Sequence, residues 1–134
     1  MPHVVVQYTA NLDPEAEVGK LCHALAEVLV AQRDAAGARV FPIGGTRVLA
    51  YPAAHFAVAD GGADRAFVFV EARIAPGRGP AVVKAAGEAM LAVLQRHFEN
   101  IFASRPVGIT LQIHESAAAF DAKHSNLHPL FAGR

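Results

Sequence analysis

The chain contains a single cysteine, Cys22, which excludes an internal disulfide framework. Its 12 basic and 12 acidic side chains cancel to a formal net charge of zero. It therefore lacks the positive field of proteins that bind nucleic acid or anionic membranes. No apolar run approaches the length of a membrane span, and no charged-then-apolar leader opens the chain. We expect a cytoplasmic protein with neither a nucleic-acid nor a membrane partner.

More than half of the chain is apolar, at 53% of 134 residues. A chain of this length can bury one hydrophobic core but is too short for two. We therefore expect a single domain over residues 1–134. The high apolar share also predicts that some apolar surface is buried between subunits.

Two halves of the chain, about 1–62 and 63–134, show the same pattern and divide near Asp60-Gly61-Gly62. Each half is predicted to contain a strand, an amphipathic helix and a second strand. Connections of this length favour parallel pairing of the strands that they join. We predict an α/β (α+β) fold in which two consecutive β-α-β units form a four-stranded sheet with two helices on one face. A symmetric oligomer is the expected cover for the other face.

The first half opens with an apolar strand over residues 2–8. Its helix is predicted to have Asp13 as the N-cap and Pro14 at the first helical position. Gly37 is the expected end of that segment. The predicted buried face of the helix consists of Val18, Leu21, Cys22, Leu25, Val28 and Leu29.

The second half opens with a strand over residues 66–74 that is apolar enough to be central. A turn at Pro76-Gly77 follows, and Pro80 begins the second helix. The final predicted strand, residues 107–114, alternates apolar and polar side chains. The predicted buried stripe of the second helix consists of Val83, Gly87, Met90, Leu94, Phe98 and Ile101.

The tail, residues 120–131, is too apolar for a disordered terminus. Its large apolar side chains are Phe120, Leu127, Leu130 and Phe131. We expect this tail to pack onto a neighbouring subunit.

Pro2 is the first candidate catalytic residue. If the initiator Met1 is removed, Pro2 carries a secondary amine, which can take a proton, in place of an amide, which cannot. The apolar strand that follows would hold this amine at the edge of a sheet. Many proteins have proline at this position because it favours methionine removal, so a frayed terminus without a catalytic role is the alternative.

Two arginines at glycine-rich turns are the candidate anion-binding residues. Arg47 follows Gly44-Gly45, where the backbone can turn tightly and approach a ligand. Arg78 lies between two glycines just before the second helix, whose free amides favour carboxylate or phosphate. The alternative for each is a solvated surface arginine.

Other kinds of site have weaker support. His124 and His128 are four residues apart, with Asp121 nearby, but no zinc-type spacing accompanies them, so we expect no metal. The chain has no Gly-x-Ser-x-Gly elbow, and Cys22 falls on a predicted core face. The glycines around Arg78 lack the context of a dinucleotide fold. We expect no cofactor.

Several short blocks in order resemble the 5-carboxymethyl-2-hydroxymuconate delta-isomerase family of the tautomerase superfamily. These blocks are Met1-Pro2-His3, Phe41-Pro42-Ile43-Gly44-Gly45-Thr46-Arg47, Ala59-Asp60-Gly61, Ala66-Phe67-Val68, Gly77-Arg78 and Asn126-Leu127-His128-Pro129-Leu130-Phe131. The resemblance implies a cofactor-free homotrimer that isomerises a ring-cleavage product in the breakdown of homoprotocatechuate. It also implies that Pro2 is the acid and base, and that Arg47 and Arg78 bind and polarise the carboxylates of the substrate.

Two other functions fit the same pattern. A superfamily member could use Pro2 to hydrate or dehalogenate an unsaturated acid, with an acidic residue as partner for the water. A trimeric protein that retained Met1 could bind a small acid without chemistry. In both alternatives the molecule that binds is a small carboxylate.

Overall fold

The computed structural model describes residues 2–134, and Met1 lies outside the described part. The strands are β1 (His3–Thr9), β2 (Arg47–Ala53), β3 (Ala66–Ile74) and β4 (Val107–Glu115). The helices are α1 (Asp13–Ala16), α2 (Val18–Val30), α3 (Pro80–His97) and α4 (Glu99–Ser104). Short 3₁₀ turns occur at Ala10–Leu12, Ile43–Gly45 and His128–Phe131.

The four strands form one mixed sheet in the order β2-β1-β3-β4. β1 pairs with β2 in parallel and β3 pairs with β4 in parallel, while the two halves meet through the antiparallel pair β1 and β3. The predicted fold of two consecutive β-α-β units is confirmed. β3 is a central strand, as its apolar composition predicted.

One face of the sheet is buried under the helices, and the other carries none of them. Alternate residues of β1 and β3, such as Val4, Val6, Val68 and Val70, are fully buried in the core. The intervening residues point to the helix-free face, because successive side chains of a strand alternate between faces. That face exposes the large apolar side chains Leu49 and Tyr51 of β2.

The predicted first helix is two helices, so its predicted extent was wrong. Glu17 separates α1 from α2 with a left-handed backbone, at φ 45° and ψ 55°. The imidazole of His97 in α3 bonds to the carbonyl of Ala16 at 2.5 Å, which satisfies an oxygen beside the break. Asp13 is the first residue of α1 and not its N-cap, and its carboxylate accepts the hydroxyl hydrogen of Tyr8 at 2.5 Å.

Helix α2 also ends well before Gly37. The Asp34 carboxylate accepts the amide hydrogens of Ala36 and Ala38, each at 2.9 Å, and so forms a turn where a helix could have continued. Three predicted face residues, Leu21, Leu25 and Leu29, are buried. Cys22 was predicted to be buried but is only half-buried, as are Val18 and Val28.

The second predicted helix is confirmed at its start, Pro80, but it is also interrupted. Phe98 separates α3 from α4 and is itself buried. The predicted stripe is correct for Met90, Leu94, Phe98 and Ile101. Val83 and Gly87 are only half-buried, and the neighbouring face residues Ala86 and Val93 are buried instead.

The apolar tail is largely exposed in the single chain. Phe120 is 87% exposed and Leu130 is 68% exposed. The last 3₁₀ turn lies against the turn Ile43–Gly45 of the same chain. The predicted packing of this tail on a neighbouring subunit stays a prediction. None of the helices within residues 2–134 is long and apolar enough to cross a membrane.

One loop position stores backbone strain that a substitution can remove. Ala59 has φ 55°, a conformation that costs an L-residue with a β-carbon but not glycine. We expect Ala59→Gly to raise the free energy of unfolding by about 0.5–1 kcal/mol in urea denaturation. Ala57→Gly is the matched control, because Ala57 is exposed on the same loop without a positive φ, and this variant should lose stability. Equal effects of both changes would contradict the assignment of strain to Ala59.

Candidate active site

Pro2 and Arg47 lie side by side at one end of the sheet. Pro2 is buried immediately before β1, and its carbonyl accepts the amide hydrogen of Arg47 at 3.3 Å. This bond extends the parallel ladder by which β1 and β2 pair. The structure therefore brings together two of the three predicted site residues. A free amine on Pro2 requires removal of Met1, which lies outside the described residues.

A row of four basic side chains crosses the sheet beside Pro2. His3 is the register partner of Arg47 on β2 and of Arg73 on β3, and Arg73 is the partner of His114 on β4. All four project from the helix-free face. The Arg47 Nε donates to the Nδ1 of His3 at 2.9 Å. Arg73 and His114 instead approach the Glu71 carboxylate, at 3.2 and 3.6 Å.

The surroundings of His3 favour the neutral form of its imidazole. Burial lowers its pKa below the ordinary value of 6.5, and the positive charges of Arg47 and Arg73 lower it further. At pH 7 the ring is therefore uncharged and can accept a hydrogen bond from a guanidinium. The unfolded chain takes up this proton more readily, so acidification below about pH 6.5 reduces the contribution of His3 to folding stability.

An open cleft of about 780 Å³ separates this end of the sheet from the tail. Its lining includes the permanently charged side chains Arg47, Arg73 and Lys123, against a single carboxylate, Asp121. Lys123 donates to that carboxylate at 2.6 Å and lowers its pKa. The excess of positive charge suits a ligand with more than one carboxylate.

Arg78 adjoins the cleft but is not among its lining residues. It lies between Gly77 and Gly79, which both have a positive φ. Its Nη1 donates to the carbonyl of Ala75 at 2.8 Å, and its guanidinium carbon lies 5.0 Å from the centre of the Phe41 ring. Ala75 itself lines the cleft. The structure therefore places the third predicted site residue next to the cleft lining but outside it.

The glycine pair before Arg47 has a structural use that the sequence did not indicate. A β-carbon on Gly44 would lie 3.0 Å from the Cα of His128, which is tighter than an ordinary contact. The absence of a β-carbon at Gly44 therefore allows the tail to pack against it. The sequence had instead predicted that a ligand approaches the backbone here. His128 in turn lines the cleft, so this contact forms one of its walls.

Two observations bear on the histidines of the tail. His128 lines the cleft, whereas His124 does not. Within residues 2–134, no three His, Cys, Asp or Glu side chains come together as metal ligands would.

Sequence reasoning missed His3, Arg73 and Lys123 as cleft residues. His3 and Arg73 fall on the polar side of alternating strands, and only the register between β1 and β3 makes them neighbours. His3 could have been predicted as a site residue from its position next to Pro2 in the sequence. Lys123 reaches the cleft through an irregular segment, for which no periodicity exists.

Comparison with known proteins first identifies the fold class. A solved structure described as a Q0 fused 4-OT wild-type symmetric trimer shares the fold, with a TM-score of 0.57 and 22% identity over 98% of each chain. The two chains therefore share one fold, a four-stranded sheet built from two β-α-β units.

Closer matches define the family. The profile of the 5-carboxymethyl-2-hydroxymuconate isomerases matches residues 2–131, so the chain belongs to this family of isomerases. A solved 5-carboxymethyl-2-hydroxymuconate delta-isomerase is 41% identical with a TM-score of 0.94, covering 100% of this chain and 95% of that one. The 5-carboxymethyl-2-hydroxymuconate isomerase of Deinococcus radiodurans R1 is 37% identical with a TM-score of 0.87, covering 97% and 93%. The Delta-isomerase of Escherichia coli is 28% identical over 131 residues, covering 98% and 99%.

The coupling of His3 to Arg47 predicts a measurable change in pKa. Arg47→Met removes one neighbouring positive charge, so the pKa of His3 should rise when followed by NMR of the imidazole carbons. It should stay below 6.5, since burial is the largest cause of the shift. Arg96→Met, on the exposed surface of α3, is the control and should leave the His3 titration unchanged. An unaltered pKa in the Arg47 variant would contradict the contact.

Proposed function

We propose that this isomerase moves a proton on an unsaturated 2-hydroxy polycarboxylate without a cofactor, and that its substrate is 5-carboxymethyl-2-hydroxymuconate. The observation that carries the proposal is the position of Pro2, which is buried beside Arg47, a residue that lines a cleft with excess positive charge. Membership of the isomerase family supports the reaction type, and the names of the relatives support the substrate.

The proline amine is the group that carries the proton. Ketonisation of a dienol removes a proton from the 2-hydroxyl and adds one to a carbon of the conjugated chain. An amine that is unprotonated near neutral pH can do both in turn. The positive charge of Arg47, whose backbone lies beside Pro2, disfavours the ammonium form of the amine.

Arg47 and Arg78 bind the carboxylates of the substrate in this proposal. Arg47 is closer to Pro2, so it also stabilises the negative charge that develops on the dienolate. Arg78 contacts Ala75 and Phe41 next to the cleft lining, which suits a carboxylate remote from the reacting carbon. Its access to that carboxylate requires the Arg78 side chain to turn into the cleft.

The working enzyme is a homotrimer of single-domain chains, 1–134, in the cytoplasm. The helix-free face supports this assembly, because it exposes Leu49 at 41% and Tyr51 at 54%. The exposed side chains of the tail support it as well, since Phe120 is 87% exposed in one chain. A trimer would cover both surfaces.

Pro2→Ala should lower kcat strongly with 5-carboxymethyl-2-hydroxymuconate, because alanine supplies a primary amine of different basicity and orientation. The oligomer should stay intact, as judged by light scattering. Intact mass must first show that Met1 has been removed from both proteins. Wild-type rates in a preparation whose mass retains Met1 would exclude the amine as the base. Binding of the substrate without turnover by the processed protein would favour a non-catalytic binding protein.

Arg47→Ala and Arg78→Ala should each cost about 2–4 kcal/mol of transition-state stabilisation. For Arg78 the loss should appear mainly as a higher KM, and for Arg47 in both kcat and KM. Lysine at either position should rescue only in part, because it lacks the two-donor fork of arginine. Arg96→Ala is the control for loss of an exposed arginine. An unchanged kcat/KM in both site variants would place the anion site elsewhere.

A further inference from the structure

We propose that His3 is a positioning residue, which holds the guanidinium of Arg47 so that it meets a substrate carboxylate with its two terminal nitrogens. The inference rests on the proposed function in one respect, since it takes Arg47 as a carboxylate-binding residue. It adds a residue to that site and a defined binding mode for Arg47.

Arg47 is tied to two consecutive residues of β1. Its backbone amide donates to the carbonyl of Pro2 at 3.3 Å, and its Nε donates to the Nδ1 of His3 at 2.9 Å. The first bond sets the position of the Arg47 backbone relative to Pro2. The second sets the direction of a long side chain that otherwise has many rotamers. Together they fix the guanidinium relative to the proline amine.

The contact requires one particular form of His3. Nδ1 can accept a hydrogen bond only if it carries no proton, so the neutral ring must be protonated on Nε2. A protonated imidazolium would turn the acceptor into a donor and repel Arg47. The flanking Arg73 on β3 and the partial burial of the ring both disfavour that charged form.

The same bond selects how Arg47 can bind an anion. A carboxylate can meet a guanidinium side-on, through Nε and one terminal nitrogen, or end-on, through both terminal nitrogens. His3 takes the Nε hydrogen, which excludes the side-on mode. Since His3 and Arg47 both line the cleft, an end-on carboxylate would lie within it.

Two substitutions of His3 test whether Arg47 needs an acceptor at the position of Nδ1 or only a polar side chain nearby. The amide oxygen of asparagine can lie where Nδ1 of histidine lies, whereas that of glutamine is one bond further out. With 5-carboxymethyl-2-hydroxymuconate as the assay substrate, we expect His3→Gln to lower kcat/KM by about 10- to 100-fold, as for a lost hydrogen bond to a charged group. His3→Asn should stay within about threefold of wild type. Adding His3→Gln to Arg47→Ala should cause no further loss, because the two residues act as one unit.

A measurement on the wild-type protein avoids the question of folding. Nitrogen-15 NMR of the imidazole should show Nδ1 without a proton and Nε2 with one at neutral pH. A ring with its proton on Nδ1 would overturn the inference. Equal loss of activity in His3→Asn and His3→Gln, with thermal unfolding unchanged, would overturn it as well.

The outcomes also separate this inference from the proposed function. If Arg47→Ala is impaired and His3→Gln behaves as wild type, the positioning role is wrong and the isomerase site stands. If the wild-type protein does not turn over the substrate, the proposed substrate is wrong. In that case the tautomer of His3 still decides whether this residue holds Arg47.

Discussion

The parallel ladder between β1 and β2 is the constraint on which the rest of the site depends. It places Arg47 against both Pro2 and His3, although Arg47 follows His3 by 44 residues in the chain. A parallel pair needs a long crossover, which here is the segment containing α2. The helix therefore serves the site indirectly, because it allows the start of β2 to lie beside the start of β1.

Because side chains alternate along each strand, the residues that form the core lie on one face of the sheet and the candidate site residues lie on the other. In β1, Val4, Val6 and Tyr8 point into the core under the helices, while His3 points to the opposite face. The same separation holds for β3, where Ala72 is buried and Arg73 is exposed. A shift of register by one residue would move the charged side chains of the shifted strand into the core. Packing of the apolar face therefore fixes the strand register, and the register fixes the positions of the four basic side chains on the other face.

Electrostatics in this protein is local, since the whole chain carries no net charge. The positive charge that matters is gathered at one end of the sheet, around the cleft that Arg47 and Arg73 line. That concentration favours the neutral form of His3 and binding of carboxylates in the same place. In the proposed function it also keeps the amine of Pro2 available as a base.

The sequence by itself determined the two β-α-β units and the parallel pairing within each half. It also indicated Pro2 and Arg47 as candidate site residues. Those features follow from local periodicity, turn residues and short motifs, all of which act between neighbours in the chain. It did not determine the break at Glu17, the early end of α2 at Val30, or the contact of Gly44 with the tail. These depend on partners distant in sequence, such as His97, or on local turns such as that of Asp34, that compete with a helix. Only the tertiary structure decided that His3 and Arg73 share the cleft and that Arg78 lies outside its lining, because strand register and side-chain direction are set by packing of the whole sheet.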